Sequence, residues 1–173
     1  MHSTALSAIF IEYPEKKMNQ ENDADDVLKN FLMRGGSIRM LQDIDPSDLD
    51  QVYAYATQLF EAEAFKSAKQ FYYLLARLDH WNFDYWLALG LSCQRLSQHD
   101  EALFCFSRAG MIRIDDPRGA FFAGISYQAL GNTVYARKAF NAAIRWCGRD
   151  AASEPMRRAA AQSLAYCALE AGS

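Results

Sequence analysis

Catalysis and metal binding need side chains of particular types within reach of one another, and few candidates are spaced that way. The three histidines are His2, near the start of the chain, and His80 and His99, each standing singly. No second histidine follows at three or four residues to make a metal-holding pair on a helix. The four cysteines, Cys93, Cys105, Cys147 and Cys167, form no C-x-x-C pair. Cys93 and Cys105 fall at apolar positions of a helical pattern, so the thiols are expected buried and reduced, as in a cytosolic protein. The acidic pairs Asp25–Asp26 and Asp115–Asp116 precede helical patterns. There they complement the positive end of a helix rather than act as general acid and base. Gly35–Gly36 is isolated and Gly90 and Gly124 lie inside helical patterns, so no phosphate-cradling loop is expected. The residue types point to binding rather than catalysis, with no metal and no cofactor.

Bulk properties narrow the kind of binding. A chain of 173 residues is long enough for one domain with its own core. Its formal net charge of -3, with no basic stripe, argues against nucleic acid, whose phosphates demand clustered Lys and Arg. No apolar run is long enough to span a bilayer. Residues 4–11 are apolar, but no Lys or Arg precedes them and no small-residue cleavage site follows, so a secretory signal is not expected. The expected location is the cytoplasm.

The middle of the chain repeats itself every 34 residues. Trp86, Leu89, Gly90, Cys93, Ala102, Phe106 and Ala109 are matched, one period later, by Ala120, Ala123, Gly124, Tyr127, Ala136, Phe140 and Ala143. One period earlier stand Val52, Tyr55, Ala56, Leu59, Ala68, Tyr72 and Leu75. A period of this length with W-x2-L-G-x2-Y and then A-x3-F-x2-A is the tetratricopeptide pattern. The small residues at 56, 90 and 124 and at 68, 102 and 136 let two antiparallel helices approach, while Tyr72, Phe106 and Phe140 fill the space between them. The fold class is therefore all-α: three tandem tetratricopeptide repeats at 49–82, 83–116 and 117–150, stacked as a short right-handed solenoid.

In such a stack the first helix of each hairpin lines the hollow side. Helical geometry places Asp50, Tyr53, Thr57, Phe60 and Glu61 there in the first copy. Asp84, Leu87, Leu91, Gln94 and Arg95 follow in the second, and Arg118, Phe121, Ile125, Gln128 and Ala129 in the third. The centre of this face is apolar, since no hairpin core calls for Tyr53, Phe60, Leu87, Leu91, Phe121 and Ile125 on that side. It is expected to dock an apolar peptide, extended or helical; cover by the chain's own C-terminal segment or by a second copy is the rival. A ligand carboxylate would be desolvated there without partners, at several kcal/mol. Arg95 and Arg118 are placed to read a polar or acidic flank.

The flanks follow the same logic. Residues 1–24 read as a flexible arm, within which Met18 offers a second start. Residues 25–48 form an N-terminal helical segment: Val27, Leu28, Phe31 and Leu32 recur at helical spacing, with Asp23 or Asp25 as cap, and Gly35–Gly36 ends the helix. Ser37 is placed to cap a short helix carrying Ile38, Leu41 and Ile44, and Pro46, Ser47 and Asp48 open the first repeat. Within 151–173, Pro155 begins a capping helix with Met156, Ala159, Ala160, Ser163, Leu164, Cys167 and Ala168 on one stripe.

The segment Phe31-Leu32-x-x-Gly35-Gly36-Ser37-Ile38-x-Met40-Leu41, followed by three repeats with Leu78-Asp79-His80 after the first, resembles the class II chaperones of bacterial type III secretion. The likeness runs from about residue 25 to about residue 148. It implies a cytosolic protein that keeps hydrophobic, pore-forming translocators soluble before export, with a possible transcription-factor partner. It also implies an extended ligand whose proline, leucine and second proline each enter a pocket. The matching wall is Tyr53, Thr57, Phe60, Leu87, Leu91, Phe121, Ile125 and Gln128; Thr57 and Leu87 stand where the family commonly has an aromatic residue. Homodimers through N-terminal helices, frequent in that family, would place Val27, Leu28, Phe31 and Leu32 at an interface. Packing against the first repeat suits the same four residues equally well.

Overall fold

The computed structural model describes residues 30–31, 33–148 and 151–170, in two units that meet after Gly36. The arm at 1–24, the caps Asp23 and Asp25, and Val27, Leu28 and Leu32 lie outside the described residues. In the first unit the double glycine ends a helical turn for two separate reasons. Gly35 takes a φ of 89°, a left-handed conformation open to glycine at little cost. Gly36 donates its N–H to the Phe31 carbonyl at 3.0 Å, and a Cβ on it would lie 2.1 Å from the Phe31 ring.

Among the described residues of the second unit, every regular element is a helix. A short helix α1 (Ile38–Leu41) precedes α2 (Pro46–Glu61), α3 (Phe65–Leu78), α4 (Phe83–Arg95), α5 (His99–Ile112), α6 (Pro117–Ala129) and α7 (Thr133–Trp146). A 3-10 turn at Ala151–Ser153 leads into α8 (Glu154–Glu170). Consecutive helices pack on one another from α2 to α7, and α8 packs on α7, so α2–α3, α4–α5 and α6–α7 are three hairpins in tandem. The entry to each hairpin is dictated locally. Asp45, Asn82 and Asp116 each accept a hydrogen bond from a first-turn N–H, satisfying one of the orphan donors there. The expected Ser37 cap is not made. Ser37 holds the N-cap position, but its side chain bonds no backbone N–H of that helix and its buried Oγ has no partner among the described residues.

The turn inside each hairpin uses one left-handed residue at the same place in the period: Glu63 at φ 58°, Ser97 at 59° and Gly131 at 71°. Only the third is a glycine. A side chain in this region costs roughly 1–2 kcal/mol, while glycine gives back up to about 1 kcal/mol through the freedom of the unfolded chain. Ser97→Gly should therefore stabilise the protein by about 0.5 kcal/mol in denaturant titration.

Small and large residues interlock inside each hairpin as the spacing requires. Ala56, Ala68, Ala102 and Ala136 are fully enclosed. A Cβ on Gly90 would lie 2.5 Å from the Phe106 ring, and one on Gly124 2.6 Å from Phe140. Tyr72 takes the place of these phenylalanines in the first hairpin and shares the buried cluster with Ala56. Gly124→Ala should therefore destabilise: overpacking costs about 1–3 kcal/mol and the helical preference for alanine returns about 1 kcal/mol. A net loss of up to about 2 kcal/mol in urea titration is expected; a gain in stability would show that Phe140 can step aside.

The buried residues form two clusters. The larger spans the first two hairpins; the smaller joins Ala136, Phe140 and Ala143 of α7 to Ala160 and Cys167 of α8. The last helix is thus apolar inward, as a terminal cap must be. An arginine outside the apolar stripe fastens it: Arg157 donates to the carbonyls of Cys147 (2.9 Å) and Gly148, which lie just past the end of α7, and pairs with Glu154 at 2.8 Å.

Candidate peptide-binding face

The first helices of the hairpins, α2, α4 and α6, lie side by side and carry the expected wall. Rings of Tyr53 on α2 and Tyr85 on α4 stand 5.5 Å apart, and Tyr53 lies equally close to Tyr72 of α3. Between α4 and α6, Gln94 donates to the Phe122 carbonyl at 3.0 Å and to Ser126 Oγ at 2.8 Å. At the other end of that pair, Arg118 meets Asp84 at 3.3 Å, one full period away in the chain.

Side chains on this face are less free than the helical pattern implied. Leu87 is only 6 % exposed and belongs to the larger core cluster, so it backs the wall rather than forming its surface. Tyr53, Phe60 and Leu91 are half-buried against that cluster, and Phe121 and Ile125 against the smaller one, to which α8 contributes. The reason is the close approach of neighbouring first helices: a side chain facing the hollow also meets the next hairpin. Thr57 is tied down, its hydroxyl donating to the Tyr53 carbonyl at 2.9 Å and lying 3.1 Å from the Tyr72 hydroxyl. Gln128 is half-buried, while Arg95 is exposed with its guanidinium 4.3 Å above the Phe65 ring.

Charge on the face is concentrated at one end. Arg118 holds both oxygens of Asp116, the closest bond being 2.8 Å, and Arg113 adds a contact to Asp84 at 3.5 Å. Both guanidiniums lie 4.6 Å from the Phe83 ring. Burial by itself would raise the Asp116 carboxyl, but the bonds from Arg118 outweigh it and hold the group below the usual carboxylate range. A carboxyl depressed in the folded state stabilises above its unfolded pKa and loses that contribution as pH falls through the folded value. Asp116→Asn keeps the helix cap but loses the charge-assisted bonds to Arg118, and should therefore lower stability by about 1 kcal/mol at neutral pH, the scale of a part-exposed ion pair. The difference from the parent should vanish in strong acid, which denaturant titrations across pH will read.

Residues that the repeat pattern did not single out complete the face. Tyr85 is buried, and burial, reinforced by Asp50 and Asp79, pushes its hydroxyl up to about 12. Ser126 is fully enclosed, its Oγ accepting from Gln94. Polar residues inside an apolar helical stripe were the available signal for both. Among the described residues no three His, Cys, Asp or Glu side chains are grouped to hold a metal ion, and no helix is long and apolar enough to cross a membrane. Of the four residues at the expected dimer interface, Phe31 alone is described.

No family model matches the chain. It is 31% identical over 96 residues to the low calcium response locus protein H of Yersinia pestis, aligning 56% of this chain with 57% of that protein. The chain thus spans little more than half the length of the curated relatives that it matches first. A T3SS complex from Aeromonas hydrophila shares the fold with a TM-score of 0.82 at 24% identity, over 85% of this chain and 98% of that one. PcrH of Pseudomonas aeruginosa in complex with the chaperone binding region of PopD gives 0.72 at 26% identity, over 73% and 96%. The relatives and structural neighbours thus include the chaperone SicA of Salmonella, the type III secretion translocator chaperone SycD of Yersinia enterocolitica and PcrH. They place this chain, whose described elements are all helices, beside the class II translocator chaperones of type III secretion.

Proposed function

We propose that this chain is a cytoplasmic chaperone that binds the hydrophobic translocators of a type III secretion system before export and keeps them soluble. It would hold an extended chaperone-binding segment against α2, α4 and α6. The observation that carries this reading is the match, over nearly the whole length of PcrH, to a chaperone whose structure includes the chaperone binding region of a partner, PopD. The row of half-buried apolar side chains on the first helices supports it. Burying one ligand side chain in a pocket contributes about 1.5–3 kcal/mol, from which the ordering of the segment must be subtracted. Three such anchors make an affinity suited to release, and release is what export requires.

Co-expression with a translocator encoded beside this chain, one with two hydrophobic helical spans, tests the proposal. The translocator should stay in the soluble fraction and co-purify with the chain. A translocator that precipitates equally with and without the chain would refute it.

A further inference from the structure

The outer side of the hairpin stack carries a second groove that the proposed function does not use. It runs between α3 and α5, the second helices of the first two hairpins, as two cavities of about 410 and 540 Å³ that share Lys69, Tyr73 and Glu101 as walls. On α3 the lining residues run from Lys66 to Arg77, so the trough is about 16 Å long, or some three helical turns. Its apolar lining is partly open to solvent. Phe104 is 60 % and Tyr73 52 % exposed, and Phe104 meets the Trp86 ring edge-on at 6.0 Å. Phe104 touches its own hairpin at the Trp86 ring but leaves more than half of its side chain in water, and large exposed apolar patches mark docking sites.

Charge identifies the occupant. The two cavities are lined by three cations, Lys66, Lys69 and Arg77, against a single carboxylate, Glu101, although the whole chain is net -3. Glu101 is already engaged by Lys69. The other cations lack carboxylate partners among the described residues: Arg77 lies beside its own neighbour Tyr73, and Arg108, just beyond, lies 5.5 Å over the Trp86 ring. Guanidiniums held over aromatic faces at the rim of an apolar trough are placed to take carboxylates, and a groove between two helices takes a third.

We propose that the α3–α5 groove binds an amphipathic helical segment of a partner protein, with an aromatic or leucine anchor on its inner face and glutamates or aspartates along its edges. This site is independent of the face formed by α2, α4 and α6, so the chain can hold two partners at once.

The test uses the full chain and a fluorescein-labelled synthetic helix with leucine and phenylalanine on one face and glutamate on the other, read by anisotropy. A glutamine-faced and a lysine-faced version serve as controls. The acidic helix should bind at least about tenfold tighter than either control, and binding should weaken with added salt. Arg77→Glu combined with Arg108→Glu should weaken it about tenfold or more, and so should Phe104→Ala, with helicity by circular dichroism unchanged. Arg77→Gln with Arg108→Gln should fall between, whereas Leu91→Ala on the opposite face should leave the affinity as it was. Equal binding of the acidic and glutamine helices, or loss of binding in Leu91→Ala alone, would overturn the proposal. Sedimentation showing that Phe104→Ala dissociates a dimer of this chain would also overturn it, because a second copy would then be the occupant.

Discussion

Phe106→Ala should cost the protein about 3–5 kcal/mol, a large part of the 5–15 kcal/mol that a domain of this size has to lose. Phe106 is 2 % exposed, sits in the middle hairpin, and its ring is the surface on which Gly90 rests and to which Phe122 of the next hairpin is stacked at 5.9 Å. Removing it empties the seam inside one hairpin and loosens the contact to its neighbour. Thermal unfolding should shift down by roughly 10 °C, given about 2–4 °C per kcal/mol at this length. The partner residue supplies a sharper check. Gly90→Ala in the parent forces a Cβ against the ring and should destabilise, while in the Phe106→Ala background the same change enters the void and adds helix propensity of about 1 kcal/mol. A change of sign between the two backgrounds is the expected double-mutant result; identical effects in both would mean that ring and glycine are not coupled.

Leu91→Glu should reduce the affinity for a translocator's chaperone-binding segment by about a hundredfold, which corresponds to about 2.7 kcal/mol. Leu91 lies one turn beyond the buried Leu87 on α4, half-exposed at the middle of the face, so a carboxylate there meets water in the free protein and apolar ligand in the complex. Desolvating that carboxylate without a partner costs several kcal/mol. Leu91→Ala removes only the apolar contact and should lose about tenfold. Both variants should keep their helical circular dichroism because the position is not enclosed. Titration with a labelled peptide of the segment measures the two losses, and an affinity unchanged in Leu91→Glu would remove this face from the proposed function. Leu87→Glu is the poorer experiment: at 6 % exposure its charge would be forced into the core and unfold the hairpin.

The local elements and the interior of each hairpin follow from spacing along the chain. The 34-residue period places Gly90 and Gly124 opposite Phe106 and Phe140, and helical geometry alone brings those pairs together, because both members lie within one hairpin. The caps at Asp45 and Asp116 and the left-handed residues at 63, 97 and 131 are likewise short-range matters, settled by chemistry within a few residues. The stripe on the last helix could be read off for the same reason as far as Cys167; Ala168, expected on it, is exposed. What one hairpin does to the next could not. Leu87 sank into the core, Tyr85 joined Tyr53, Gln94 crossed to Ser126, and Arg157 reached the carbonyls beyond α7, all through contacts between elements whose mutual tilt no helical period encodes. The cationic trough between α3 and α5 belongs to the same class: Lys69, Arg77 and Phe104 look like ordinary outward residues until two second helices are set side by side. Periodicity acts within a helix and its immediate partner, so it determined the hairpins and their seams; the surfaces shared between hairpins depend on how rigid units lean together, and tertiary packing alone decided those.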